Sequence, residues 1–162
     1  MLNKTKKVVF DNRFVMLKLS KKTEYAIIAI LDMAGKPIDE LLTAKDLSQK
    51  YNIPREIMGK VLQSLAKHAI IVSHQGAKGG YRLHIPLEKL NINSIINAVD
   101  GPIHLVDCKN EIDCECSQLD YCNIKTPMEL LHIELNRFFD NITLKDFKEK
   151  YAGLMPLGNV PG

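Results

Sequence analysis

The 162-residue chain lacks any run of about eighteen apolar residues, so no segment is expected to span a membrane. Its first ten residues, MLNKTKKVVF, lack the apolar core and cleavage site of a secretory signal, and a cytoplasmic location is expected. No Ser/His/Asp set, phosphate-binding glycine loop or paired-carboxylate site stands out. The five histidines (His68, His74, His84, His104 and His132) are scattered and read as surface or packing residues. Neither an enzyme nor a small-molecule substrate is expected. There is no internal repeat. Cysteine is scarce and confined: all four (Cys108, Cys114, Cys116 and Cys122) fall in one short window. A reducing cytosol disfavours disulfides, so such a cluster points to metal binding or redox chemistry.

What is present is an ordinary globular composition, 46% hydrophobic and 25% charged. The length suits one compact domain or a small domain with an appended helix. Charge is unevenly spread. Residues 17–86 hold eleven Lys/Arg against six acids, whereas residues 87–162 hold seven against twelve. A basic half joined to an acidic half suggests a polyanion-binding module plus something else.

Local signals divide the chain. Residues 1–16 are polar and unpatterned and read as a flexible extension. Ser20 is placed to cap a helix over 21–34, with Tyr25, Ile28 and Leu31, supported by Ile27 and Ala29, as its apolar face. Gly35 and Pro37 stop it. Thr43 to Asp46 forms a capping box for a second helix, with Leu47 and Tyr51 turned inward. Pro54 suits the first position of a third helix, lined inside by Ile57, Val61, Leu62 and Leu65. Residues 70–72 and the alternating 81–85 flank a glycine-rich turn and predict a hairpin ended by Pro86. A short helix over 90–99 buries Ile92, Ile95, Ile96 and Val99 and breaks at Gly101-Pro102. Thr126, Pro127 and Glu129 predict a strong helix start, and Met128, Leu131, Leu135, Phe138 and Ile142 follow at heptad spacing. Thr143 to Asp146 caps a last short helix to about Tyr151, ahead of a frayed tail.

Helix, helix, turn, helix, hairpin is the order of a winged helix-turn-helix. The expected fold is therefore mostly α with a small β-hairpin wing, plus a long helix that carries the heptad-type stripe. The third helix can enter a major groove and would expose Arg55, Glu56, Lys60 and Gln63. Lys60 or Gln63 would reach base edges, and Arg55 a base or a phosphate. The wing tip carries His74, Gln75 and Lys78, and its glycines allow close approach to DNA. Lys18, Lys21, Lys22 and Arg82 are candidates for phosphate contacts.

Several stretches in order resemble the Rrf-two family of bacterial regulators (the IscR/NsrR/CymR type). They are LKLSKKTEYA at 17–26, IIVSHQGAKGGYRL at 70–83, INAVDG at 96–101, the cysteine cluster, and NITL at 141–144. The resemblance covers about residues 17–147. It implies a homodimer that reads a near-palindromic site in double-stranded DNA, most commonly as a repressor, with the stripe from Met128 to Ile142 as the dimer surface. It also implies a division into a DNA-binding domain (17–101), a cluster-binding loop (102–125), a dimerisation helix with a short C-terminal helix (126–151) and a tail (152–162).

Thiolates are soft ligands suited to iron–sulfur clusters or zinc. Family members of the cluster-binding kind use three cysteines of one loop plus a fourth ligand of another type. The resemblance implies a [2Fe-2S] cluster on Cys108, Cys116 and Cys122, with Cys114 as the substitute for Cys116. In one branch a histidine follows the last cysteine by three residues, but here that position is Lys125, which as an ammonium cannot ligate. In another an acid before the N-terminal tyrosine reaches across from the partner subunit. That position is Glu24, the expected fourth ligand in trans. Its simpler role is to stabilise the first turn of its helix. Five acids within Asp107 to Asp120 would repel DNA from this loop. Two readings compete: a cluster-free regulator of the cysteine-metabolism type, controlled by a partner protein or thiol oxidation, and a zinc-stabilised DNA-binding module.

Overall fold

The computed structural model describes residues 18–76, 79–106 and 116–152. Helix α1 (Lys21–Ala34) starts where Ser20 Oγ accepts the Thr23 N–H at 3.1 Å, and it stops at Gly35, whose N–H turns back to the carbonyls of Asp32 and Met33. Its buried face is Thr23, Ala26, Ile27, Ala29, Ile30 and Met33. Tyr25, Ile28 and Leu31 are only partly buried, so the inward stripe is rotated from the one predicted. The helix is apolar around most of its girth, which leaves its periodicity ambiguous. The small, fully buried Ala26 and Ala29 let the helices over 55–67 and 92–99 approach closely, and that packing sets the rotation.

Helix α2 (Ala44–Tyr51) has the predicted capping box in both directions: Thr43 N–H donates to Asp46 at 2.9 Å and Asp46 N–H to Thr43 Oγ1 at 3.2 Å. Leu47 is fully buried. Tyr51, expected inside, lies at the surface beneath the Lys50 ammonium, 5.1 Å from its ring centre. Asn52 takes a left-handed conformation (φ 51°) to end the helix. Helix α3 (Arg55–Lys67) starts one residue later than predicted, with Pro54 as its cap residue. Met58, Val61, Leu62 and Leu65 face the core, while Ile57 sits on the exposed flank; Met58, one residue on, takes the place assigned to it.

The wing is an antiparallel pair, β1 (Ile71–His74) and β2 (Gly80–Leu83), in the register Ile71↔Leu83 to His74↔Gly80. Leu42, ahead of α2, joins it by two hydrogen bonds with Tyr81 at 2.8 and 2.9 Å. That approach requires Gly80, where a Cβ would sit 3.0 Å from Leu41 Cβ and the Leu42 carbonyl. Gly79 is more constrained still, because a Cβ there would come within 2.5 Å of the His74 carbonyl oxygen. Helix α4 (Ile92–Val99) is capped by Asn91 and buries Ile92, Ile95, Ile96 and Ala98, with Val99 half-buried.

Helix α5 (Lys125–Asp140) starts a little before the predicted capping box, with Ile124 at its cap and no side-chain cap bond. Met128 N–H donates to the Ile124 carbonyl at 2.9 Å, so the helix is already under way at Thr126 and its hydroxyl does not cap it, while Pro127 falls in the first turn, where no N–H partner is needed. The helix ends at Asp140, and Ile142 lies beyond it, packed on the core. Thr143 Oγ1 accepts the Asp146 N–H at 3.0 Å and starts α6 (Leu144–Ala152). The turn between α5 and α6 pairs with the residues before α4: Ile92 N–H donates to the Ile142 carbonyl and Leu144 N–H to the Leu90 carbonyl. Leu144 is thereby buried in the same core as Ile30, Met58 and Ile95. Six helices and a two-stranded hairpin account for the regular structure, apart from two short 3-10 turns, among the described residues. No helix among them is long and apolar enough to cross a membrane.

Candidate nucleic-acid interface and cysteine region

Burying Met58, Val61, Leu62 and Leu65 turns the opposite side of α3 outward, so Arg55, Glu56, Lys60, Gln63 and Lys67 are all exposed. Glu56 and Lys60 form an i,i+4 pair at 2.8 Å. The hydrogen bond and the attraction between them hold the Glu56 carboxyl below, and the Lys60 ammonium above, their ordinary values. On the wing, Arg82 Nε–H donates to His74 Nε2 at 3.0 Å, so these two predicted DNA contacts are already in contact with each other. Gln75 is exposed at the tip. Lys78 lies outside the described residues.

At the start of α1, Lys18 is exposed. Lys21 is drawn to Glu24 at 2.5 Å, and that hydrogen bond, with the attraction behind it, raises its pKa. Glu24 therefore occupies the first helical turn with a cation as its neighbour. Lys22 approaches Asp100 at 3.9 Å. Asp100 is the functional-looking residue that sequence reasoning passed over as part of a motif. Its carboxylate accepts from the Ser20 hydroxyl and, at 2.7 Å, from the Thr23 hydroxyl. Thr23 is fully buried. A threonine in the buried register of a helix is the signal that a distant acceptor must exist, since a buried hydroxyl needs a partner. Asp100 thus ties the start of α1 to the segment leading into the cysteine region, beside a cavity of about 420 Å³ also lined by His104, Leu135 and Phe139. His104 and His132, scattered in sequence, stack with ring centres 6.2 Å apart.

Cys116 and Cys122 are half-buried free thiols on either side of a 3-10 turn at Leu119–Tyr121, and Cys116 Sγ reaches Gln118 at 3.5 Å. Cys108 and Cys114 lie outside the described residues. Among the described residues no three His, Cys, Asp or Glu side chains converge as a metal site. The donors fit an iron–sulfur cluster in kind, because thiols are the soft ligands such clusters take and these two are free of disulfides and half-buried. Helix α5 beyond them buries no residue completely. Met128 and Leu135 are half-buried, whereas Leu131 and Phe138 are 54% and 58% exposed.

A family model, Rrf2, described as an iron-dependent transcriptional regulator, matches residues 19–150. The chain belongs to the Rrf2 (Rrf-two) family. It is a transcriptional regulator, not an enzyme, and Rrf2 membership implies that it binds DNA. Relatives include the HTH-type transcriptional regulator NsrR of Halalkalibacterium halodurans, 28% identical over 80% of this chain and 89% of the relative. Another is IscR of Vibrio campbellii, 29% identical over 79% of this chain and 75% of the relative. Among solved structures, the CymR global cysteine regulator of B. subtilis superposes with a TM-score of 0.62 at 21% identity, covering 83% of this chain and 98% of that one. IscR of T. potens superposes at 0.63 and 22% identity, covering 88% and 94%. These two likenesses show that the fold is that of the Rrf2 winged-helix regulators.

Proposed function

We propose that this Rrf2 protein is a cytoplasmic homodimeric repressor whose affinity for a near-palindromic operator is set by a [2Fe-2S] cluster. The observation that supports it best is the pair of free, half-buried thiols, Cys116 and Cys122, in a chain that matches an iron-dependent family over 19–150. Cys108 would complete the loop's ligands, with Cys114 as substitute for Cys116, and Glu24 of the second subunit would be the fourth. When bound, such a cluster supplies an iron centre that responds to oxidation, nitric oxide or iron supply. The residues themselves divide the work. Arg55, Lys60 and Gln63 face the major groove. His74, Lys78 and Arg82 serve the wing, and Lys18 and Lys21 reach phosphates. Met128, Leu131, Leu135 and Phe138 of α5 join the subunits, and Ile142, which packs on the core beyond the helix, stands at the end of their stripe. The domain division is the one expected from sequence, with 17–101 reading DNA and 126–151 dimerising.

For Glu24 to ligate, it must leave Lys21, an exchange made easy by the exposure of both side chains. Ligands drawn from both subunits would fix the separation of the two α3 helices, and so the fit to two half-sites.

Anaerobic purification with ultraviolet–visible spectra and iron and sulfide counts tests the cluster. A gel-shift assay with and without it tests control of DNA binding. Visible absorbance and near-equal iron and sulfide are expected, and colourless, iron-free anaerobic protein would reject the cluster. Glu24→Ala is expected to leave a cluster of altered spectrum and faster loss, and an unchanged one would remove Glu24 from the ligand set. The likeness to CymR supports a second reading, a cluster-free regulator that senses thiol oxidation or a partner protein. Metal analysis separates the two.

A further inference from the structure

Glycine in the middle of a helix costs about 1 kcal/mol relative to alanine, so it needs a reason. Gly59 sits in the second turn of α3, and the described residues supply no such reason. A Cβ built there meets no atom within 4 Å beyond its own helix, and the position is only half-buried. The contrast with Gly79 and Gly80 is direct, since Gly79 packs against backbone closer than a Cβ allows and a Cβ at Gly80 would sit 3.0 Å from its nearest neighbours.

The surroundings of Gly59 are distinctive. Arg55, Gly59 and Gln63 follow at four-residue spacing and so lie along one ridge of the helix, with the missing side chain in its centre. Arg55 and Gln63 are both exposed. On the adjacent ridge, Glu56 and Lys60 are held to each other at 2.8 Å. The result is a notch at the half-buried edge of the outward face of α3, bounded by long polar side chains of which Glu56 and Lys60 restrain each other.

We infer that Gly59 is the point of closest approach between α3 and the edge of a base pair in the major groove, and hence a specificity-determining position. This rests on the reading of α3 as the recognition helix. Without a Cβ at the centre of the ridge the helix axis can sink further into the groove. That brings Arg55 and Gln63 within reach of base edges on either side of the notch. Any side chain at 59 would hold the helix away and lose those contacts, although it would favour the helix itself.

The test uses full-length protein and a duplex enriched from a random pool by the wild type, with an unrelated duplex of equal length as the non-specific competitor. Gly59→Ala is expected to raise the melting temperature by about 3 °C and to weaken binding to the enriched duplex at least about ten-fold, leaving the non-specific affinity unchanged. Gly59→Leu, also a good helix former, is expected to abolish the preference altogether. Enriched-duplex affinity within about two-fold of wild type in both variants would overturn the inference. So would a fall in melting temperature for Gly59→Ala, which would mean that the glycine serves the fold. An equal loss on both duplexes would place the contact on the phosphate backbone and overturn it as well. If the wild type enriches no duplex, the recognition-helix reading itself fails, and this inference falls with it.

Discussion

The half of the molecule from α1 to α4 and the half from the cysteines to α5 are built on different terms. In the first, α1, α2 and α4 start at side-chain caps, all four helices turn a stripe into a shared core, and Ile30, Leu47, Met58, Leu65 and Ile95 are completely buried. In the second, a sixteen-residue helix buries no residue, and its large apolar side chains face outward on several sides. The lesson is that the first half gathers its stripes into one core, which Leu144 closes from beyond α5, whereas α5 carries apolar surface that the described residues do not cover. A monomer rarely keeps such surface without a use for it.

That difference can be broken or sharpened by substitution. Leu65→Ala removes a fully buried side chain and is expected to cost about 2–5 kcal/mol in urea unfolding. Leu131→Ala, on an exposed position of α5, should cost far less in the unfolding of isolated subunits but weaken self-association, which light scattering across a dilution series would detect. Equal losses in the two unfolding curves would erase the distinction between the halves.

The joint between them is next in size. Asp100→Ala leaves the buried Thr23 hydroxyl without its acceptor and is expected to cost about 1–3 kcal/mol. If Asp100 also couples the cysteine segment to α1, hydrogen exchange should quicken at both ends of that bond, at the start of α1 and after Gly101. Exchange faster at one end alone would make it a local brace.

The smallest effects belong to the caps. Thr43→Ala is expected to cost about 1 kcal/mol in thermal unfolding. The Asp46 carboxyl is held below its ordinary range, first by the Thr43 hydroxyl and then by the Thr43 N–H. A depressed carboxyl contributes stability above the unfolded-state range and loses it as pH falls through the folded value. Asp46→Asn should therefore lower stability at neutral pH and flatten the acid limb of the profile, with variant and wild type converging at low pH. Asp146, bonded to Thr143 in the same way, is shifted in the same direction.

Where the sequence was legible, the determining contacts were short-range. Ser20, Thr43 and Thr143 satisfy backbone groups within three residues, so their helices begin where the pattern says. The wing turn is dictated by Gly79, and the third-helix core by Val61, Leu62 and Leu65. Tyr51 and Ile57 were misplaced because an apolar residue at the margin of a stripe is settled by its neighbours in space. The start of α5 lies ahead of the predicted capping box because the Ile124 carbonyl takes the Met128 N–H, a backbone bond that needs no capping side chain. Of the candidate site, the outward residues of α3 could be read from the stripe opposite them. Asp100 could not, because its partners lie 77 and 80 residues away. The meeting of His104 with His132 was equally invisible.

By itself, then, the sequence determined the order of helices and hairpin, most of their ends, and the family to which the ordered motifs belong. Those rest on capping bonds, glycine sterics and hydrophobic period, all of which act within a few residues. Only the tertiary structure decided which face of α1 is buried, that Leu144 closes the core from the far end of the chain, and that Asp100 holds the start of α1. Those outcomes come from packing and hydrogen bonds between segments remote in sequence. Their free energy depends on the whole arrangement, so no local window contains it.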